Sequence, residues 1–145
     1  MQTAKAIEVH GKPVAGGKFP LICTPLVGRT REQILAEVQV VLAKGPDILE
    51  WRVDFFADIA HTAEVISMAT AIRTAADGVP LLFTRRSIRE GGEKIALSEE
   101  KVIALYQAVC ESRQIDLIDF EMSNDAAHIA QIGRASCRER VSSPV

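Results

Sequence analysis

Cysteine is scarce in this sequence, and its few copies are widely scattered. The 145 residues contain three cysteines, Cys23, Cys110 and Cys137, with no Cys-x-x-Cys pair and no grouping of cysteine with histidine. This spacing excludes a zinc module and a scaffold held together by disulfides. We therefore expect no metal site, reduced thiols and a cytoplasmic location.

A surplus of positive charge and long apolar runs are lacking as well. Lysine and arginine number 17 against 19 aspartates and glutamates, so the formal net charge is -2. A chain of this charge has no general attraction for nucleic acid or anionic lipid. No window approaches the roughly 18 apolar residues of a membrane span, and the first residues lack the apolar core of a signal peptide. We expect neither nucleic acid nor membrane as a partner.

The composition that remains is that of an ordinary globular domain. Hydrophobic residues make up 48% of the sequence and charged residues 25%, which is far from the signature of a disordered chain. A chain of this length buries roughly two thirds of its unfolded surface when it folds. We therefore expect a domain with a hydrophobic core.

Short apolar runs alternate along the chain with segments of helical periodicity. Strands are predicted at 19–24, 47–54, 80–84 and 115–121, with a hairpin before the first. Helices are predicted near Thr30, at Thr62 and after Ser98, and Thr30 with Gln33 forms a capping box. Such alternation predicts parallel β/α units, which close into a barrel or lie in an open sheet. Residues 24–28 lack a glycine-rich phosphate turn, which argues against a nucleotide-binding open sheet.

Polar residues stand at the carboxyl ends of all four predicted strands, which is where the functional residues of parallel β/α proteins lie. Alternate strand positions face the same side, so Glu50 and Arg52 are predicted to point together, inward in a barrel. Two interpretations remain open. The charges form an internal layer of ion pairs, or they bind a carboxylate-bearing, hydroxylated small molecule, since arginine holds carboxylate as a two-pronged fork. The full set is Thr24, Glu50, Arg52, Arg85, Arg86, Asp119 and Glu121.

The loop at 86–93 is the most distinctive stretch of the sequence. Its adjacent glycines, Gly91 and Gly92, allow the backbone to come close to a ligand, and Glu90 follows Arg86 closely enough to orient a catalytic base. The alternative is a solvated loop of mixed charge. The three histidines are expected at the surface, and no lysine stands at the end of a predicted strand.

Three motifs together resemble type I 3-dehydroquinate dehydratase. They are DILEWRVD at 47–54, PLLFTRRS at 80–87 with EGGE at 90–93, and DLIDFE at 116–121, in matching order and spacing. The resemblance runs from residue 6 to residue 131. It implies an α/β fold, a (β/α)8 TIM barrel of which only about the first four strands are present, with an N-terminal β-hairpin. It also implies no cofactor, and a homodimer for the full-length enzyme.

The resemblance implies a reaction too. Members of this family are lyases that dehydrate 3-dehydroquinate to 3-dehydroshikimate through a lysine imine, in the shikimate pathway of aromatic amino acid biosynthesis. An iminium acidifies the neighbouring C–H, and a histidine acts as base and acid. The strands bearing this lysine and histidine have no counterpart here, so we expect an inactive part of the enzyme. The alternative is a non-catalytic half-barrel that binds a carboxylate-bearing small molecule or only dimerises.

The same resemblance assigns roles to individual residues. Glu90 corresponds to the carboxylate that supports the catalytic histidine. Thr24 stands where the family has a serine in contact with the substrate, and Arg85 replaces an apolar residue. The substrate-binding set implied in this way is Thr24, Glu50, Trp51, Arg52 and Arg86.

The last segment, 132–145, departs from the family pattern. It has no apolar periodicity and resembles the in-frame translation of a sequencing adapter. We therefore expect two parts, the N-terminal half of a dehydratase barrel at 1–131 and a non-native tail at 132–145. The alternative is a natural basic tail that binds nucleic acid or an acidic partner.

Overall fold

The computed structural model describes residues 6–121 and 125–135. The strands are β1 Ile7–Val9, β2 Lys12–Ala15, β3 Cys23–Leu26, β4 Ile48–Arg52, β5 Leu81–Thr84 and β6 Leu117–Asp119. The helices are α1 Arg31–Leu42, α2 Thr62–Ala76, α3 Glu99–Ser112 and α4 Ala126–Ala135. No helix within these two ranges is both long and apolar enough to cross a membrane.

Four strands form a parallel sheet in the order β3-β4-β5-β6, and a helix connects each strand to the next. This confirms the predicted alternation of β/α units and gives the first part of a TIM-barrel arrangement. Before it, β1 and β2 pair in an antiparallel hairpin, as predicted. The hairpin turns at His10 and Gly11, which adopt positive φ angles of 50° and 73°.

The helices begin where their capping residues predicted. The Thr30 side chain accepts a hydrogen bond from the backbone of Gln33, whose side chain accepts one from the Thr30 backbone, so the capping box is present. Ser98 likewise caps α3 by accepting a hydrogen bond from the Lys101 backbone. These bonds satisfy amide groups that have no partner within the helix.

The first strand of the parallel sheet was placed too early by the sequence pattern. It was expected at 19–24, whereas β3 spans Cys23–Leu26 and contains a proline, Pro25. Proline cannot donate to a strand ladder, so its presence at position 25 does not favour a strand there. Within the described part of the chain β3 pairs only with β4, and an edge strand tolerates proline. Phe19, expected in the strand, is 76% exposed.

The hydrophobic core lies between the sheet and its helices. Its centre is a row of aromatic rings in edge-to-face contact, with Trp51 and Phe83 at 5.6 Å and Phe83 and Tyr106 at 5.1 Å. Such pairs add stability beyond the area they bury. Because the odd-numbered residues of β4 and β5 point into this core, the alternate residues face the opposite side of the sheet.

Helix α4 crosses the predicted boundary between residues 131 and 132. Ile132, the first residue of the expected tail, is buried and packs against the core. The origin of segment 132–145 stays a prediction, and residues 136–145, including Cys137, lie outside the described residues.

Candidate functional site

The face of the parallel sheet opposite the helices carries a row of polar residues. Arg52 on β4, Thr84 on β5 and Asp119 on β6 are neighbours in register. Glu50 lies two residues before Arg52, on the same side. We call this surface the inner face and define it by these four residues. The predicted common orientation of Glu50 and Arg52 is thus confirmed.

Arg52 is fixed by the carboxylate of Asp54, which lies in a short 3-10 turn after β4. Its Nε and Nη2 donate to the two Asp54 carboxylate oxygens, each at 2.8 Å. The guanidinium also lies over the Phe55 ring, 5.0 Å from its centroid. The hydrogen bonds that Arg52 donates to Asp54 raise the pKa of Arg52 despite the opposing effect of partial burial and of the neighbouring Arg86. Arg52 is therefore a permanent cation in a fixed orientation.

Arg86 follows β5 and is surrounded by carboxylates. Its Nη2 lies 2.6 Å from Oδ2 of Asp119, and its Nη1 lies 3.2 Å from Oε2 of Glu90 and 3.8 Å from Oε1 of Glu121. Burial favours the neutral form of the Arg86 guanidinium, but Asp119 and the other carboxylates outweigh it and raise the Arg86 pKa. The site thus holds a second fixed cation near the first.

The loop at 86–93 is anchored at both ends by buried carboxylates. The backbone N–H of Ser87 donates to Glu121 at 2.7 Å, and that of Glu93 donates to Asp54 at 3.0 Å. Gly92 makes the close turn possible, because a Cβ there would lie 1.9 Å from the backbone oxygen of Arg86. Both ends of the loop are therefore attached to the body of the protein, while residues 88–91 between them are exposed.

Arg85 points away from this site. Its Nη2 lies 2.8 Å from Oε1 of Glu99, at the start of α3, while the next residue, Arg86, faces Asp119 on the inner face. Successive residues at the end of a strand face opposite sides. The Arg85 side chain thus contacts the start of α3 rather than the residues of the inner face.

The residues predicted to bind substrate do not all meet. Glu50 and Arg52 on β4 lie close to Arg86, which follows β5, because β4 and β5 are adjacent and parallel. Trp51 is fully buried in the aromatic row of the core. Thr24 pairs in register with Leu49, a core residue, whereas Pro25 pairs with Glu50. Thr24 and Trp51 therefore lie on the helix side of the sheet, and the inner-face position on β3 belongs to Pro25.

Two carboxylates of the site, Asp54 and Asp119, have arginine partners that the sequence pattern does not identify. Asp54 is the last residue of the predicted strand at 47–54, and Asp119 belongs to the predicted strand-end set. Only the three-dimensional contacts reveal that Asp54 holds Arg52 and that Asp119 holds Arg86. The sequence signal for this pairing is that each carboxylate stands close to an arginine-bearing strand end, because a buried guanidinium requires a carboxylate partner.

Fixed guanidinium groups beside an acceptor such as Glu50 suit a small molecule that bears both a carboxylate and hydroxyl groups. The fold and the site together define a protein of the parallel β/α-barrel class with two fixed arginines at the carboxyl ends of its strands. Within residues 6–121 and 125–135, no group of three or more histidine, cysteine, aspartate or glutamate side chains has the geometry of a metal site.

Comparisons with known proteins agree with this class. Residues 22–142 match the family model of type I 3-dehydroquinase. The 3-dehydroquinate dehydratase of Albidiferax ferrireducens is 62% identical over 136 residues, which cover 94% of this chain and 52% of that protein. The corresponding protein of Aromatoleum aromaticum is 49% identical over 131 residues, 90% of this chain and 50% of the relative.

Solved structures give the same result. The crystal structure of 3-dehydroquinate dehydratase from Geobacillus kaustophilus superposes with a TM-score of 0.88 at 42% identity, covering 92% of this chain and 51% of that one. The type I enzyme of Clostridium difficile gives 0.85 at 31% identity, with 91% and 51% covered. The chain belongs to the type I 3-dehydroquinase family and spans about half the length of the relatives it matches.

Proposed function

We propose that this chain supplies the substrate-anchoring half of a 3-dehydroquinate dehydratase site. The observation that carries the proposal is the pair Arg52 and Arg86 on one face, each oriented by a carboxylate, with Glu50 beside them. Among the described residues, none accepts a hydrogen bond from Nη1 of Arg52. That edge of the guanidinium is available to a substrate oxygen, and the Glu50 carboxylate can accept hydrogen bonds from substrate hydroxyls.

Glu90 fits the role of a supporting carboxylate. Its side chain is 46% exposed and lies 3.2 Å from Nη1 of Arg86, in the loop that the two buried carboxylates anchor. A carboxylate held in this way can accept the N–H of a histidine and fix the tautomer that abstracts a proton. We propose that such a histidine stands on a later strand of the complete enzyme.

The proposal assigns imine formation and proton transfer to residues beyond those described. Among residues 6–121 and 125–135, no lysine lies in, or directly follows, a strand of the parallel sheet. The C. difficile relative was crystallised with covalent modified comenic acid, which supports covalent chemistry on a carboxylic acid in this family. We propose that the present chain alone does not turn over substrate, and that the complete enzyme is a cytoplasmic homodimer.

A hybrid barrel tests the proposal. Residues 1–131 are joined to the unmatched remainder of the A. ferrireducens relative, which is 62% identical to this chain over 136 residues, 52% of its own length. The hybrid should convert 3-dehydroquinate into the conjugated enone product, measured by ultraviolet absorbance, and borohydride should trap the substrate imine. Residues 1–131 alone should do neither. A folded hybrid that binds substrate without turnover would contradict the proposal and favour a non-catalytic binding protein.

A further inference from the structure

Asp54 is a buried carboxylate for which the proposed reaction has no direct use. Its side chain is 0% exposed, and an unpaired charge in such a place is costly. Four hydrogen bonds compensate this cost. Two come from the Arg52 guanidinium at 2.8 Å, and two come from the backbone N–H groups of Arg86 at 3.3 Å and Glu93 at 3.0 Å.

These four bonds join two separate parts of the chain. Arg52 ends β4, whereas Arg86 and Glu93 are the two ends of the loop that carries Glu90. The same loop end is tied further to Arg29, whose Nη2 lies 2.9 Å from Oε2 of Glu93. The Asp54 side chain thus contacts both cations of the site. It orients the Arg52 guanidinium and holds the backbone of Arg86.

We propose that Asp54 is the positioning residue of this site, setting Arg52 and the 86–93 loop in their mutual geometry without touching the substrate. This inference rests on the proposed function. Asp54 acts through Arg52, so its loss weakens substrate binding more than the chemical step. A misplacement of about 1 Å that originates away from the reacting atoms can cost about 100-fold.

The first test is the Asp54→Asn variant of the hybrid barrel. Asparagine keeps the shape but lacks the charge and one acceptor oxygen, so KM should rise about 100-fold, with a much smaller change in kcat. Asp58→Asn is the matched control, because Asp58 is 58% exposed and undergoes the same chemical change nearby. The double variant Arg52→Lys with Asp54→Asn should lose no more than the worse single variant. Additive losses, or equal KM values for the two Asn variants, would overturn the proposal.

A second measurement does not depend on turnover. In the unaltered hybrid barrel, hydrogen exchange of the Arg52 Nε–H should be at least about tenfold slower than that of exposed Arg89, since a buried ion pair protects it. The Arg52→Lys spectrum identifies the signal by its loss. Rapid exchange at Arg52 would contradict the positioning role. An inactive wild-type hybrid with slow Arg52 exchange would refute the proposed reaction while leaving the role of Asp54 intact.

Discussion

The hydroxyl oxygen of Tyr106 accepts a hydrogen bond from the backbone N–H of Arg85 at 2.8 Å, which ties helix α3 to the end of β5. The same hydroxyl donates to the backbone oxygen of Asp119 at 2.8 Å. One buried side chain therefore joins two strand ends that carry site residues. Because Arg85 directly precedes Arg86, this contact on the helix side of the sheet helps to fix the backbone at Arg86.

Replacing Tyr106 with phenylalanine should destabilise the hybrid barrel by about 1–3 kcal/mol, because a buried N–H and a carbonyl lose their partner. Urea unfolding measures the change. Thr70→Val is the control, since its hydroxyl bonds only to the Ile66 carbonyl on an exposed helix surface. A Tyr106→Phe midpoint equal to that of the control would show that the bridge contributes nothing.

Gly92→Ala should displace the 86–93 loop. The added Cβ would lie 1.9 Å from the Arg86 backbone oxygen, so the loop must move, at a cost of about 1–3 kcal/mol. Weaker binding of 3-dehydroquinate, measured by calorimetry in the hybrid barrel, should accompany the loss of stability. Gly17→Ala is the control, because its nearest neighbour is 3.9 Å away. Unchanged binding in Gly92→Ala would exclude a role for the loop conformation.

Substitutions at the neighbouring residues Arg85 and Arg86 should differ in their effect on the proposed activity. Arg86→Lys removes the planar donor fork from the inner face, and kcat/KM of the hybrid should fall by about 10- to 100-fold, the size of one charge-assisted hydrogen bond. Arg85→Lys alters only the contact with Glu99 on α3 and should leave kcat/KM within about twofold. Equal losses in both variants would contradict the assignment of Arg86.

Acid should weaken the fold partly through Asp54. Burial raises the pKa of this carboxyl, but the bonds from Arg52 and from the Glu93 and Arg86 amides outweigh it, so its pKa lies below the ordinary value of 3.8. A depressed folded-state pKa gives stability that is present above the unfolded value and is lost as pH falls through the folded one. Urea unfolding of the hybrid at pH values from about 5 down to 2 should show this loss. Asp54→Asn should flatten that part of the profile, and an unchanged slope would count against the ion pair.

The source gene provides a further prediction. Sequencing beyond the codon for Gln131 should reveal a frame that continues into strands bearing a histidine and a strand-end lysine, because the matched relatives are about twice as long. A stop codon after Val145 in the gene itself would instead favour the non-catalytic half-barrel. The same gene sequence would show whether segment 132–145 is encoded by the source gene.

Much of the local structure was determined by the sequence alone. Thr30 and Ser98 placed the starts of α1 and α3, since capping depends on residues three positions apart. The alternation of strands and helices gave the parallel β/α architecture, and the strand-end motifs gave the family. These signals are short-range, so they can be read without knowing which segments meet.

Tertiary structure decided which side chains share the site. The start of β3, and therefore the choice of Pro25 over Thr24 on the inner face, depends on pairing with β4, and a shift of one residue in register exchanges the two faces of a strand. The opposite orientations of Arg85 and Arg86 depend in the same way on the helix that covers one side of the sheet. Asp54 acquires its role only when the loop at 86–93 folds against it, because its partners lie 32 and 39 residues away. Periodicity within one segment carries no information about such distant contacts.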